Sequence, residues 1–261
     1  MQKVKSKDGT IIAYDKLGRG PAVVLISGGS VDRTSNARLA SLLSESFTAY
    51  NYDRRGRGDS GDTPPYSVKR EIEDIEAVIS AAGGMAFLYG SSSGAALALE
   101  AVYVLRDKIT KLVLWEPPNF VDKKYPPPPP NTAEIYTRLV SAGKRGEAVE
   151  FFMTKVVGLP PEFAAAARKE PWWAAQEAIA HTLAYDATIM GDYSLPVERV
   201  SAINIPTLVM DGEASFPFLH STADAIAKIL PRGQRQTLAA QQHNVSPEVL
   251  ASAMKEFLKA S

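Results

Sequence analysis

Short uninterrupted apolar runs alternate with helical patterns through the first half of the 261-residue chain and again near its end. The clearest runs are residues 21–27, 85–90, 109–115 and 205–212, and such runs are typical of strands in a sheet that is covered on both faces. Between two of them, residues 67–79 have apolar side chains at every third or fourth position, which is the period of an amphipathic helix. The alternation predicts an α/β fold: a mostly parallel sheet with helices on both faces.

Further elements extend this pattern along the chain. We predict strands at residues 10–17, 47–53 and 235–239, and helices at residues 92–106, around 223–230 and at 249–258. With 45% apolar residues, the chain can bury one large core and a smaller lid.

The middle of the chain interrupts the alternation. Pro117 and Pro118 follow Glu116, and five consecutive prolines occupy residues 126–130. Proline lacks the backbone N–H that a helix interior or a central strand needs, so this stretch predicts a stiff, extended linker. Residues 131–190 then have helical spacing throughout. We predict two domains, an α/β core of residues 1–118 and 196–261 and a helical cap of residues 119–195 that includes the proline-rich linker.

Composition argues against several kinds of function. With 29 Lys and Arg residues against 29 Asp and Glu residues, the chain has no net charge that would attract nucleic acid or anionic lipid. It has no cysteine, which rules out disulfides, thiolate zinc sites and a thiol nucleophile. No apolar run approaches the roughly 18 residues of a membrane span, and the opening MQKVKSKDG lacks the apolar stretch of a signal peptide. We expect a cytoplasmic protein without metal ion or cofactor, whose partner is a small, mostly uncharged molecule; its oligomeric state stays open.

The strongest chemical signal is Gly90-Ser91-Ser92-Ser93-Gly94, which lies between a predicted strand and a predicted helix of small residues. A serine nucleophile must project from a sharp turn, and glycines two residues before and after it relieve the crowding there. Only Ser92 is two residues from both glycines. The alternatives are a Gly/Ser loop without a chemical role and a phosphate-binding loop. For the latter, the Walker A lysine and the acidic ribose partner are both missing. We therefore predict that Ser92 is a nucleophile.

With these motifs the chain resembles an α/β-hydrolase with a helical cap. The resemblance rests on VVLISGG and YDRRGRGDS, each after a predicted strand, on the serine turn, on the helical insertion and on a histidine before the last helix. It implies a mostly parallel eight-stranded sheet, and it implies that His243 is the base that accepts the proton of Ser92. We interpret the other two histidines, His181 and His220, as ordinary surface or core residues.

The resemblance also implies an oxyanion hole, in which two backbone N–H groups stabilise the negative charge that develops on the substrate oxygen. One N–H belongs to Ser93, the residue after the nucleophile. The other belongs to Gly29, after a turn in which Ser27-Gly28 replaces the frequent His-Gly of the family.

The acid that orients the histidine departs from the common family pattern. The family usually has an aspartate three residues after the glycine that ends strand seven, but the residue three after Gly212 is Ser215, and a hydroxyl cannot supply the charge. The other position used in this fold is the end of strand six, where Glu116 follows LVLW. Fungal zearalenone lactonases have a glutamate in the matching position and a similar serine turn. We predict Glu116 as the acid, with Asp211 or Glu213 as the alternative.

The implied function is the hydrolysis of a carboxylic ester or lactone through an acyl-enzyme intermediate. Serine in place of aspartate at the nucleophile position argues against haloalkane dehalogenase and epoxide hydrolase chemistry. Other interpretations stay open: cleavage of a carbon–carbon bond in a diketone-like substrate, acyl transfer or perhydrolysis, and a non-catalytic receptor whose cap closes over a small molecule. The substrate itself depends on the shape of the pocket, which the sequence does not give.

Overall fold

One eight-stranded sheet forms the centre of the molecule in the computed structural model, which describes residues 1–260. Its strands are β1 Gln2–Lys5, β2 Ile11–Gly18, β3 Ala22–Ile26, β4 Thr48–Tyr52, β5 Ala86–Ser91, β6 Ile109–Trp115, β7 Thr207–Gly212 and β8 Gly233–Leu238. Side by side they are ordered β1-β2-β4-β3-β5-β6-β7-β8. The strand β2 pairs antiparallel with β1 and β4, and the other neighbouring strands pair in parallel. The predicted α/β fold with a mostly parallel sheet is thereby confirmed.

Helices pack against both faces of this sheet. The α-helices are α1 Ala37–Leu43, α2 Val68–Ala81, α3 Ser93–Leu105, α4 Thr132–Ser141, α5 Arg145–Phe151, α6 Pro161–Ala167, α7 Trp173–Ala178, α8 Leu183–Met190, α9 Val197–Ser201, α10 Pro217–Ile229 and α11 Pro247–Lys259. None of the helices within residues 1–260 is long and apolar enough to cross a membrane.

The side chains of β3 show how the two faces are filled. Val24 and Ile26 belong to the apolar cluster that contains buried residues of α2, α3 and α10. Val23 and Leu25 belong to the cluster on the opposite face, with α1 and α11. Because successive side chains of a strand point to opposite faces, an uninterrupted apolar run is what a doubly covered strand requires.

The helices α4 to α8 lie between β6 and β7 in the chain and have an apolar cluster of their own. It contains Tyr136, Val149, Trp173 and Leu183, each no more than 7% exposed. Residues 116–131, which include the prolines, connect β6 to α4 without helix or strand.

Three helices differ from the sequence-based predictions. The helices α1 and α9 were not expected, because they have only seven and five residues, too few to establish a helical period. The helix α10 begins at Pro217, six residues before the predicted start, since proline suits the first turn of a helix, where its missing N–H has no partner to lose.

Candidate active site

Ser92 occupies a sharp turn between β5 and α3. Its backbone has φ 54° and ψ −126°, a conformation that residues with a side chain rarely adopt. The turn is held on the sheet by the N–H of Ser92, which donates to the carbonyl oxygen of Trp115 at 2.9 Å. Strained backbone of this kind persists only where its surroundings hold it, and it is typical of functional sites.

Close backbone contacts require the glycines on either side of this turn. A Cβ atom on Gly90 would lie 2.4 Å from the carbonyl oxygen of Gly94, and a Cβ atom on Gly94 would lie 2.4 Å from that of Ser27. The glycines therefore let the serine turn pack directly against the turn after β3. A Cβ atom on Gly28 would come within 3.2 Å of the Cβ of Ser92, so the two turns are in contact at Ser92 itself.

His243 lies in the loop between β8 and α11, next to the end of β6. Its Nδ1 is 2.5 Å from Oε2 of Glu116, and its carbonyl oxygen accepts a hydrogen bond from Nε1 of Trp115 at 3.0 Å. The side chain and the backbone of His243 are thus held by two consecutive residues, Glu116 and Trp115. The imidazole is 40% exposed, so the contact with Glu116 leaves part of the ring accessible from the pocket.

Glu116 is fully buried at the end of β6, with a positive φ of 46°. Oε1 of its carboxylate accepts a hydrogen bond from the N–H of Gly212 at 2.8 Å, and Oε2 accepts one from the hydroxyl of Ser215 at 3.0 Å, besides its contact with His243. A buried carboxylate is costly unless its oxygens are hydrogen-bonded, and here both are. Ser215, the position where the family usually has aspartate, is therefore a hydrogen-bond donor to the glutamate.

The alternative acids have other partners. Both oxygens of the buried Asp211 accept hydrogen bonds from Arg235, at 2.8 and 2.7 Å, and Nδ1 of His220 contacts one of them. Burial would raise the pKa of Asp211, but the hydrogen bonds from Arg235 and His220 hold that pKa below its ordinary value. Glu213 accepts a hydrogen bond from the N–H of Ala240. Within residues 1–260, neither carboxylate is hydrogen-bonded to His243.

Gly29 and Ser93 bring two backbone N–H groups to the same cavity as Ser92. Ser93 is the first residue of α3, where the N–H has no partner within the helix. Gly29 lies in the turn after β3 that packs against the serine turn. Neither N–H is hydrogen-bonded within residues 1–260, so both are available to an oxygen of a bound molecule.

The cavity has a volume of about 380 Å³ and lies between the carboxyl ends of the strands and the helices α4 to α8. Ser92 and His243 lie on the sheet side, whereas Tyr136 and Met190 lie on the helical side, and Phe216 contributes from the loop after β7. The lining is mostly apolar, as is usual for pockets that bind small organic molecules. No group of three or more His, Asp or Glu side chains in the described part of the chain is arranged to hold a metal ion.

One charged residue at the cavity was missed by the sequence analysis. Asp186 of α8 lines the cavity and is buried, and its carboxylate accepts hydrogen bonds from Arg54, Arg57 and the hydroxyl of Ser93. The sequence analysis gave the segment that contains both arginines no role in the site. The sole sequence signal is that Asp186 is the single charged residue of α8, LAYDATIM.

Comparison with known proteins identifies relatives along the whole chain. Residues 23–254 match the model of the alpha/beta hydrolase family. The crystal structure of an alpha/beta hydrolase from Sphaerobacter thermophilus DSM 20745 is 48% identical, with a TM-score of 0.93, and the match covers 99% of this chain and 100% of that one.

Two further matches are more distant. A thermophilic esterase from Thermogutta terrifontis, solved with malate bound, is 23% identical with a TM-score of 0.76, over 99% of this chain and 97% of that one. An uncharacterized hydrolase of Bacillus subtilis (strain 168), YraK, is 28% identical over 113 residues. That match spans only 42% of the length of YraK and 42% of this chain.

The contacts around the serine turn predict the effect of adding one methyl group. We expect Gly94→Ala to lower the free energy of unfolding by about 1–3 kcal/mol, because the new Cβ overlaps the carbonyl oxygen of Ser27. The matched control is Gly61→Ala, whose Cβ would meet nothing closer than 3.5 Å and whose φ is compatible with alanine. Urea unfolding of both variants measures the difference, and equal stability of the two would contradict the steric argument.

The ion pairs of Asp211 predict a pH-dependent contribution to stability. We expect Asp211→Asn to lower the free energy of unfolding at pH 7 by about 1–3 kcal/mol, since Arg235 loses its buried partner. Because the pKa of Asp211 in the folded protein is below its ordinary value of 3.8, this contribution is complete above that value and is lost as the pH falls through the folded pKa.

Urea unfolding of wild type and Asp211→Asn at a series of pH values from 7 downward measures this contribution. Asp224→Asn is the control, because Asp224 contacts the same arginine but its side chain is 58% exposed. We expect this variant to lower the free energy of unfolding by less than about 1 kcal/mol. A difference between wild type and Asp211→Asn that stays constant into the acid range would contradict the prediction.

Proposed function

Since the chain belongs to the alpha/beta hydrolase family, we propose that it is a serine hydrolase that cleaves a carboxylic ester or lactone through an acyl-enzyme intermediate. The observation that carries the proposal is the 2.5 Å contact between His243 Nδ1 and the buried carboxylate of Glu116, at a cavity that Ser92 also lines. A nucleophile, a base and a group that orients the base are the three parts that acyl transfer to serine requires.

In the proposed reaction, Ser92 Oγ attacks the carbonyl carbon of the substrate, and its proton moves to Nε2 of His243. A bond forms between Oγ and carbon while the carbonyl π electrons move to oxygen. When this tetrahedral intermediate collapses, the carbon–oxygen ester bond breaks and the proton passes from Nε2 to the leaving alkoxide. Water then attacks the acyl-enzyme with the same proton transfers, which releases the acid and regenerates Ser92.

Glu116 has the role of orienting His243 in this proposal. Accepting the hydrogen bond from Nδ1 keeps the proton on that nitrogen, so Nε2 is free to act as the base. When Nε2 takes up the serine proton, the nearby carboxylate stabilises the imidazolium. The hydrogen bonds from Gly212 and Ser215 support this role, because they hold the carboxylate in place independently of His243.

The N–H groups of Gly29 and Ser93 form the oxyanion hole in this proposal. Ser93 belongs to the serine turn, and Gly29 belongs to the turn after β3 that packs directly on it. Both N–H groups lack a hydrogen-bond partner within residues 1–260. Donors that are already in position before the reaction stabilise the developing charge without having to reorient. This stabilisation usually makes the largest contribution to the rate enhancement of such sites.

The cavity supports a small, mostly uncharged substrate. Its lining is largely apolar, and the carboxylate of Asp186 is already hydrogen-bonded to two arginines. We further propose that residues 119–195 form a cap domain over the core of residues 1–118 and 196–261. The apolar cluster within α4 to α8 supports this division, as does the position of the cavity between those helices and the strand ends.

Kinetics with p-nitrophenyl butyrate test the roles of the three residues. We expect Ser92→Ala to lower kcat by about 10⁴-fold or more, because the acyl-enzyme cannot form. Glu116→Gln is expected to lower kcat by about 10⁴-fold, as an amide can hold the wrong tautomer of His243. Asp211→Asn is the comparison for Glu116→Gln, since Asp211 is an equally buried carboxylate one strand away; it is expected to keep most of the activity.

Labelling by an organophosphate, located by peptide mass, tests the nucleophile separately. We expect modification of the peptide that contains Ser92 in wild type and none in Ser92→Ala. Wild type that shows neither a burst of p-nitrophenol nor labelling would be a receptor rather than an esterase. Full activity of Glu116→Gln with loss of activity in Asp211→Asn would assign the acid to Asp211, and preferential cleavage of a diketone would favour carbon–carbon hydrolysis.

A further inference from the structure

A buried ion cluster contacts both segments that carry the N–H groups proposed for the oxyanion hole. It consists of Asp186 on α8, Arg54 and Arg57 from the segment after β4, and Glu71 on α2. The exposed fraction is 0% for Arg54 and 1% for Arg57 and Glu71, and 6% for Asp186. An ion cluster this deep loses the hydration of every member, so its geometry has to be defined by direct contacts.

Asp186 joins this cluster to the serine turn. Its Oδ1 accepts hydrogen bonds from Ser93 Oγ and from Arg54 Nη1, both at 2.8 Å. The backbone N–H of the same Ser93 is one of the two proposed oxyanion donors. The rotation of the first residue of α3 is therefore tied, through its side chain, to a carboxylate from a different part of the chain.

The carboxylate of Asp186 is also connected to the turn after β3, which carries the N–H of Gly29. Arg57 bridges them: its Nη2 donates to Oδ2 of Asp186 at 2.8 Å, and its Nη1 donates to the carbonyl oxygen of Gly28 at 2.6 Å. A Cβ atom on Gly29 would lie 3.1 Å from Oδ2 of Asp186, so the carboxylate packs against this glycine. The Gly28 carbonyl and the Gly29 N–H belong to one planar peptide group, so holding the oxygen also sets the direction of the N–H.

We propose that Asp186 is a positioning residue, which aligns the N–H groups of Gly29 and Ser93 as an oxyanion hole through Arg57 and the Ser93 hydroxyl. The proposal rests on the serine hydrolase function proposed above. In this arrangement, three separate segments define the geometry of the oxyanion hole: the turn after β3, the start of α3 and the helix α8. Asp186 does not touch the reacting atoms and acts only through its partners.

Charge and geometry make opposite predictions for Asp186→Asn. The charges of two arginines and two carboxylates cancel in the cluster, so Asp186→Asn leaves one excess positive charge next to the proposed oxyanion hole. Through-space attraction alone would stabilise the oxyanion and raise kcat. Loss of alignment instead lowers kcat, and we expect a fall of about ten- to a hundredfold with KM within about threefold, since the donors act in the transition state.

Ser93→Ala tests the connection between Asp186 and the Ser93 hydroxyl without changing the arginines. It removes the hydroxyl that donates to Asp186 but keeps the backbone N–H, and we expect kcat to fall by about tenfold. The affinity for a trifluoromethyl ketone, which forms an oxyanion with the serine, is expected to fall in parallel with kcat/KM. In the double variant, Ser93→Ala is expected to add little to Asp186→Asn, because both break the same link.

The control is Tyr185→Phe, which removes another contact of α8 with the first part of the chain. Its hydroxyl donates to Asp62 at 2.7 Å, away from the oxyanion donors, so we expect kcat and inhibitor affinity to stay within about twofold. Thermal unfolding of each variant establishes that it folds, and Ser93→Ala keeps the test valid if Asp186→Asn does not.

The outcomes distinguish this inference from the proposed function. Wild type without esterase activity or labelling would overturn the proposed function, and this inference with it. Active wild type with unchanged kcat and inhibitor affinity in folded Ser93→Ala, or with raised kcat in Asp186→Asn, would overturn only the positioning role.

Discussion

The buried carboxylate of Glu116 is the interaction on which the geometry of the site depends. It is fully buried, and its hydrogen bonds come from the N–H of Gly212, the hydroxyl of Ser215 and the ring of His243 rather than from an arginine or lysine. These hydrogen bonds must offset the free-energy cost of burying the carboxylate. The donors come from three places: the end of β7, the loop after β7 and the loop after β8. Only parallel neighbouring strands that end at one edge bring these groups together, which connects the site to the sheet order.

The same constraint explains the residues around the carboxylate. A Cβ atom on Gly212 would lie 2.3 Å from the carbonyl oxygen of Gln241, so glycine here lets the segment before His243 approach β7. Ser215 donates its hydroxyl to Glu116 at 3.0 Å. An aspartate at position 215 would set a second carboxylate beside the first, and like charges at that distance disfavour the ionised pair. A buried carboxylate at the end of β6 therefore favours a serine over an aspartate at position 215.

The parts of the molecule that the sequence predicted are those with a local pattern. Apolar runs and helical spacing are properties of neighbouring residues, and they identified the sheet, most helices and the Gly-x-Ser-x-Gly turn at Ser92. The helix α1 was missed because seven residues are too short for a period. Asp186 was missed for a different reason: its partners Arg54, Arg57 and Ser93 are 132, 129 and 93 residues away, and no local pattern reports a contact at that separation.

The carboxylates of Glu116 and Asp186 both lie near the site, but only Asp186 is paired with arginines. The difference follows from the charge that develops next to each carboxylate in the proposed reaction. Glu116 lies beside the histidine, where a positive charge develops in the proposed reaction, and it has no cationic partner among its hydrogen-bond donors. Asp186 contacts the segments that carry the proposed oxyanion donors, where an unpaired carboxylate would repel the negative charge of the oxyanion. Two arginines neutralise it there, and although burial raises the pKa of Asp186, Arg57 and Arg54 bring that pKa below its ordinary value. At low effective dielectric such repulsion would amount to several kcal/mol, so a carboxylate can align the oxyanion donors only if it is paired with cations.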